Sequence, residues 1–145
     1  MRRVLVVEDS VSARAFVRAV LEAPDFAAPH GGCEVVEASS GFDAMRLLPR
    51  GPYDLIVTDI NMADINGLEL IRFIRRSEHH RSTPLLIIST LRAEQDVERG
   101  LALGADAYLP KPFTPEQLRD SCGKLLAAAP PVPRVSEPPP AGGAG

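Results

Sequence analysis

Three acids, a pair of hydroxyls and a lysine are the residues of this chain whose types and spacing could do chemistry together. Glu8-Asp9 directly follow the apolar run Val4–Val7, and Thr58-Asp59 follow Leu55–Val57. Ser89-Thr90 follow Leu85–Ile88, and Pro110-Lys111-Pro112 follow Ala107–Leu109. A single Asp in such a place is ordinarily a helix cap or a turn former. Three acids at two run ends are harder to explain in that way. Carboxylates crowded together repel and raise one another's pKa unless a cation neutralises them. An all-oxygen set without His or Cys suits Mg²⁺, which keeps waters and takes one or two carboxylates with phosphate oxygens, and it disfavours zinc. Lys111 is unusual in a chain with 14 Arg and two Lys. Its compact ammonium on a flexible stem can approach a phosphoryl oxygen or a buried carboxylate.

The elements that must position these residues follow from hydropathy. The runs Val4–Val7, Val35–Val36, Leu55–Val57, Leu85–Ile88 and, more weakly, Ala107–Leu109 are apolar without alternation, as strands covered on both faces are. Between them Val11 to Leu21, Phe42 to Leu48, Leu68 to Ile74, Ala93 to Leu103 and Pro115 to Leu126 have helical spacing. Leu70, Ile71 and Ile74 make one apolar stripe. Thr114-Pro115-Glu116-Gln117 is a capping box with proline at the first helical position, and Gly104 suits a helix stop. Five strands alternating with five helices predict an α/β fold, a doubly wound five-stranded parallel sheet. In such sheets ligands bind beyond the carboxyl ends of the strands, where Glu8, Asp9, Asp59, Ser89, Thr90 and Lys111 fall; Asp54 lies at the opposite end of its strand. The segment Ala23 to Gly32, with two prolines and two glycines, reads as a surface excursion.

Composition removes several classes. The chain has 145 residues, a formal charge of −3 and 45% hydrophobic residues, enough for one domain with its own core. No apolar run approaches the roughly 20 residues of a membrane span, and Glu8-Asp9 end the first run too soon for a signal peptide. Scattered basic residues argue against a nucleic-acid face. A cytoplasmic protein is expected. Cys33 and Cys122 read as small buried apolar groups, Arg72, Arg75 and Arg76 as an exposed helix face, and His30, His79 and His80 as solvated. Gly100 to Gly104 matches a close-packing GxxxG. No phosphate-cradling nucleotide loop is present. Residues 129–145, rich in Pro and Gly, cannot build a core and read as a tail or linker after a domain at 1–128.

The segments Val4-Leu5-Val6-Val7-Glu8-Asp9-Ser10, Asp54 to Met62, Asn66-Gly67-Leu68-Glu69-Leu70, Ile87-Ile88-Ser89 and Gly104 to Phe113 occur in an order and spacing that resemble the receiver domains of two-component response regulators, particularly the single-domain chemotaxis type. The resemblance covers roughly residues 2 to 127 and implies the (βα)5 flavodoxin-like strand order 2-1-3-4-5. It implies that Asp59 accepts a phosphoryl group from a histidine kinase or a phosphotransfer protein. Asp9, Glu8 through water, Asp59 and the Asn61 carbonyl would hold Mg²⁺. Lys111 would pair with Asp59 and then with the phosphoryl group, and Ser89 would donate its hydroxyl to that group. Movement of Ser89 would let Tyr108 turn inward and change the face of the fourth helix, fifth strand and fifth helix, where an output protein docks. The protein would be a switch, not a conventional enzyme, acting as a monomer or a phosphorylation-dependent dimer. Two alternatives stay open: a phosphorylation-independent scaffold or dimerisation module, and the receiver part of a longer regulator.

Departures from the family pattern shape further expectations. Thr90 stands where the family often has Ala, so either hydroxyl of Ser89-Thr90 could serve the switch. Ala63 replaces the usual Pro, which loosens the loop after Asp59. Leu91 is apolar where fast-dephosphorylating members carry an acid, so a phosphoryl lifetime longer than seconds is expected.

Overall fold

Unbroken apolar runs are stable only where both faces are covered, and β1 (Arg2–Val7), β3 (Leu55–Asp59) and β4 (Leu85–Thr90), which carry them, occupy the middle of the sheet. In the computed structural model, which describes residues 1–90 and 94–129, they are flanked by β2 (Cys33–Ala38) and β5 (Ala107–Lys111) in the parallel order β2-β1-β3-β4-β5. Leu5, Val6, Ile56, Val57, Leu86 and Ile87 have no exposed surface. The edge strands are only partly covered, which is why their sequences are less apolar.

Side chains alternate between the two faces and divide the core into two layers. Val4, Val6, Leu55, Val57, Leu86 and Ile88 pack under α1 (Val11–Glu22) and α5 (Pro115–Ala128). Leu5, Val7, Ile56, Leu85 and Ile87 pack under α2 (Gly41–Leu47), α3 (Gly67–Arg76) and α4 (Glu94–Leu103). The α3 stripe of Leu70, Ile71 and Ile74 is completely buried, contributing about 1.5–3 kcal/mol per side chain. Side-chain caps fix the helix starts at Ser10, Ser40, Asn66 and Thr114, the last in a full capping box. Each such cap contributes about 1 kcal/mol. Gly104, at φ +122°, ends α4 in a conformation that L side chains resist.

Two local expectations are corrected, at Arg75 and His80. Ala23 to Gly32 runs over the surface, with Pro24, Asp25, Ala28, Pro29 and Gly31 exposed, but it is ordered: Pro24–Ala27 form a short helix and Ala28–His30 a 3₁₀ turn. Phe26 and Ala27 are buried there, and His30 packs its ring on Phe26 at 4.8 Å. Pro24 at a first helical position was the signal for this turn. Arg75 is not on an open face. Its guanidinium donates to the carbonyls of His80, Thr83 and Gly104 and to Asp106, tying α3 to the loops around β4. His80 is not solvated; it is 2% exposed, beside Tyr53. Cys33 and Cys122 are buried as expected, and burial pushes the Cys33 thiol up to about 11. At Gly100 an added Cβ would lie 2.6 Å from Ile87 Cδ1, the close packing expected of the GxxxG. Residues 130–145 and Leu91 lie outside the described residues.

Candidate functional site

Parallel register brings the ends of four strands to one rim. Asp59 closes β3 beside Ile88, Ser89 follows on β4, and Thr90 pairs with Lys111 at the end of β5. Glu8 and Asp9 come immediately after β1, and the Glu8 amide donates to Ala38 O at 3.1 Å. One carboxylate oxygen from each of Glu8, Asp9 and Asp59 falls within 4.8 Å of the others. Glu8 and Asp59 are buried while Asp9 is exposed, so the cluster is reachable from one side. Asn61 is exposed beside it, its amide donating to Asp59 Oδ1 at 3.1 Å.

Lys111 Nζ donates to Asp59 Oδ2 at 2.9 Å and also to Glu8 Oε1. The second contact went unread in the sequence, because nothing in strand spacing tells which carboxylates a lysine on β5 can reach. Burial raises the pKa of Glu8, and the nearby Asp59 charge adds to this against the lowering effect of Lys111. Burial would lower the pKa of Lys111, but its hydrogen bonds to Glu8 and Asp59 outweigh it and raise the net value. The site therefore keeps one ammonium against three acids and is rich in uncommitted negative charge. All three side chains offer oxygens, grouped closely enough for one small hard cation to be held by them directly or through its waters, a fit for Mg²⁺.

The two adjacent hydroxyls have different environments. Ser89 has no exposed surface and its Oγ has no hydrogen-bond partner, whereas Thr90 is exposed. Thr90 lines an apolar groove with Phe16, Pro112 and Phe113. Tyr108 packs against the layer under α2–α4, and its hydroxyl is already buried without a partner. Such unpaired buried groups are rare in folded proteins.

Three supports for this rim were not visible in the sequence. Arg14 Nη1 donates to Glu8 O at 2.7 Å while its Nε donates to Glu37, fixing the backbone between the two acids of β1. Gly67 lets the loop after Asp59 close: a Cβ there would lie 2.5 Å from Ile60 Cα and 2.7 Å from Asp59 O. Asp64, in the same loop, accepts hydrogen bonds from the amides of Gly41, Phe42 and Ile65 and so holds the loop to the start of α2. Those bonds, with that of Phe42 foremost, pull the Asp64 carboxyl from 3.8 to about 2. A depressed acid adds stability above its unfolded pKa and loses it as pH falls through the folded value. Asp64→Ala is therefore less stable than wild type at pH 7, and the gap between their urea midpoints narrows as pH falls from 4 towards 2. A gap independent of pH would contradict the cap.

The doubly wound sheet gathers acids at the ends of β1 and β3 and a lysine at the end of β5, at the switch point of the strand order where ligands bind in such sheets. The family model of the response regulator receiver domain matches residues 4–122. A chemotaxis protein CheY homolog of Campylobacter jejuni is 30% identical over 125 residues, covering 86% of this chain and 92% of that protein. A probable transcriptional regulatory protein of Picosynechococcus is 36% identical over 131 residues, and the match spans only 49% of that longer protein. Among solved structures, the chemotaxis response regulator CheY4 of Vibrio cholerae shares 31% identity and superposes with a TM-score of 0.75, covering 86% of this chain and 98% of that one. The receiver domain of a sensor histidine kinase from Pseudomonas aeruginosa, 26% identical with a TM-score of 0.75 over 87% of this chain and 98% of that one, was solved with a magnesium ion coordinated in its active-site cleft. This chain belongs to the response regulator receiver domain family of two-component systems, CheY-like in fold. It is thus a signalling domain and not a conventional enzyme.

Proposed function

We propose that this receiver takes a phosphoryl group on Asp59 from a histidine kinase or phosphotransfer protein and uses it to switch a docking surface. The observation that carries the proposal is the joint placement of the Glu8, Asp9 and Asp59 carboxylates with the Lys111 ammonium at the strand-end rim where Ser89 also lies, buried. Asp59 Oδ attacks phosphorus, a new P–O bond forms as the donor's P–N or P–O bond breaks, and the electron pair leaves with the donor group. Lys111 releases Asp59 Oδ2 and follows the charge onto a phosphoryl oxygen, which takes over its hydrogen bond. Ser89 donates its Oγ–H to a second oxygen, and Thr90, facing outward, does not. Asn61 keeps Asp59 aimed through its amide and adds its carbonyl to the metal site. Glu8, Asp9, Asp59 and Asn61 would hold Mg²⁺, which when bound offsets negative charge in the in-line transfer.

Phosphorylation adds roughly −1.5 to −2 of charge next to Ser89. Drawing Ser89 towards it moves the end of β4 against Tyr108 and resets the face of α4, β5 and α5, where the output protein docks. The chemotaxis proteins among the relatives support a role in chemotaxis or motility control. Among the described residues no helix is long and apolar enough to cross a membrane, which supports a cytoplasmic place for this signalling.

Incubated with acetyl phosphate and Mg²⁺, the protein gains one phosphoryl group by intact mass. EDTA added first abolishes that gain. If neither acetyl phosphate nor a panel of histidine kinases modifies the protein with Mg²⁺ present, the proposal fails and a scaffold role takes its place.

A further inference from the structure

The acid site draws its side chains from two walls. Glu8 and Asp9 follow β1, whereas Asp59 ends β3 and Asn61 stands in the loop after it. That loop, residues 60–66, is tied at its roots: the Asn61 amide donates to Asp59 Oδ1 at 3.1 Å, and the Gly67 amide donates to Ile60 O at 2.8 Å. Its tip crosses to the other wall. Asp64 Oδ1 accepts from the amides of Gly41 at 3.1 Å and Ile65 at 2.8 Å, and Oδ2 accepts from that of Phe42 at 2.9 Å. Ile65 seats where Gly41 has no side chain: a Cβ there would fall 1.6 Å from Ile65 Cγ2.

The far anchor belongs to the first wall. Gly41 and Phe42 open α2, which follows β2 after only two residues, Ser39 and Ser40. The last residue of β2, Ala38, accepts from the Glu8 amide at 3.1 Å. The short turn between them is pinned from both sides: Ser40 Oγ accepts from the Asp43 amide at 3.0 Å, and Asp43 Oδ2 accepts from the Ser39 amide at 3.0 Å. Hydrogen bonds and short stretches of backbone thus run from Glu8 through Ala38 and Gly41 to Asp64, and from there to Asn61 and Asp59. Asp64 itself is exposed and is not among the acids grouped at the site.

We propose that Asp64 is a positioning residue for the cation: by clamping the loop after β3 to the start of α2, it sets Asn61 and Asp59 at the right spacing from Glu8 and Asp9. The inference rests on the Mg²⁺ site proposed above. Mg²⁺ demands near-ideal octahedral geometry, so a loop released at its tip loses affinity for the ion first. The clamp acts through backbone amides of α2 and of the loop, and no ligand atom comes from Asp64.

Calorimetric titration of the full chain with Mg²⁺ alone, without a phosphoryl donor, tests this. Asp64 is exposed, so Asp64→Ala leaves both core layers intact and the variant folds. It binds Mg²⁺ about tenfold more weakly than wild type, as loss of a partner outside the ligand set does. Its acetyl phosphate rate returns close to wild type at saturating Mg²⁺, the split expected when binding alone is impaired. Asp64→Asn, which keeps an oxygen for Gly41 and Ile65 but no charge, recovers most of the affinity. Gly104→Ala, strained at φ +122° before the start of β5, loses stability and keeps its affinity. Asp64→Ala binding Mg²⁺ as tightly as wild type overturns the inference and leaves the phosphoacceptor reading standing. Asp64→Asn as weak as Asp64→Ala assigns the effect to charge, and an equal loss in Gly104→Ala assigns it to general stability; either overturns the clamp. Wild type that binds no Mg²⁺ overturns the metal site and this inference together.

Discussion

Asp59→Asn abolishes phosphoryl transfer from acetyl phosphate, a loss of more than about 10³-fold in rate, as expected when the attacking atom itself is removed. The amide has nearly the shape of the carboxylate, so the Asn61 amide keeps its acceptor and the end of β3 stays in place. What is lost is the nucleophilic lone pair at full negative charge. The variant folds at least as well as wild type in the absence of Mg²⁺, because one of three crowded carboxylates is neutralised while Lys111 keeps Glu8. Intact mass after incubation and urea unfolding together check both halves. Asp120→Asn, at an exposed acid paired with Lys124 on α5, is modified like wild type. An Asp59→Asn protein that gains a phosphoryl group at the wild-type rate would place the acceptor elsewhere.

Lys111→Met moves two quantities in opposite directions. The ammonium pairs with both Glu8 and Asp59, whose side chains are 1% and 8% exposed. Without it the three acids face one another uncompensated. A charge pair at 4 Å with an effective dielectric near 20 interacts by about 4 kcal/mol, so even part of that energy raises affinity for a divalent cation about tenfold. Phosphorylation slows nonetheless, by roughly 10²–10³-fold, because the donor placed for the developing phosphoryl charge is gone. Arginine does not restore the rate, since a planar fork replaces a compact point charge. Mg²⁺ titration by calorimetry and the acetyl phosphate rate by mass separate the two effects. Weaker Mg²⁺ binding in Lys111→Met would show that the lysine supports the metal site only by holding its shape.

The legibility of this molecule varied with the range of the interactions. The buried strands β1, β3 and β4 carry unbroken apolar runs, Val4–Val7, Leu55–Val57 and Leu85–Ile88, and the ends of those runs then fix where acids and hydroxyls fall, so the rim of Glu8, Asp9, Asp59, Ser89 and Lys111 was readable from spacing. Strand β5 was faint because an edge strand is only half covered. The ring environment of His80 was not readable, since its partners Leu48 and Tyr53 lie about 30 residues away in a different loop. Arg75 resembles any basic residue in a helix; only the fold places three carbonyls around its guanidinium. The difference between Ser89 and Thr90 also needed coordinates, because alternation along a strand shows that they face opposite ways but not which of them is buried. Here the buried one is Ser89.

The central claim is an acyl phosphate on one carboxylate, and reduction maps it most directly. Borohydride converts an acyl phosphate to the alcohol, which turns a phosphorylated aspartate into homoserine and leaves free carboxylates untouched. Applied to the acetyl phosphate-treated protein before peptide mapping, it converts residue 59 alone, and only when Mg²⁺ was present. Homoserine at Asp9 or at any other aspartate, or phosphate that survives reduction on a hydroxyl such as Ser89, would contradict the assignment of Asp59 as the acceptor.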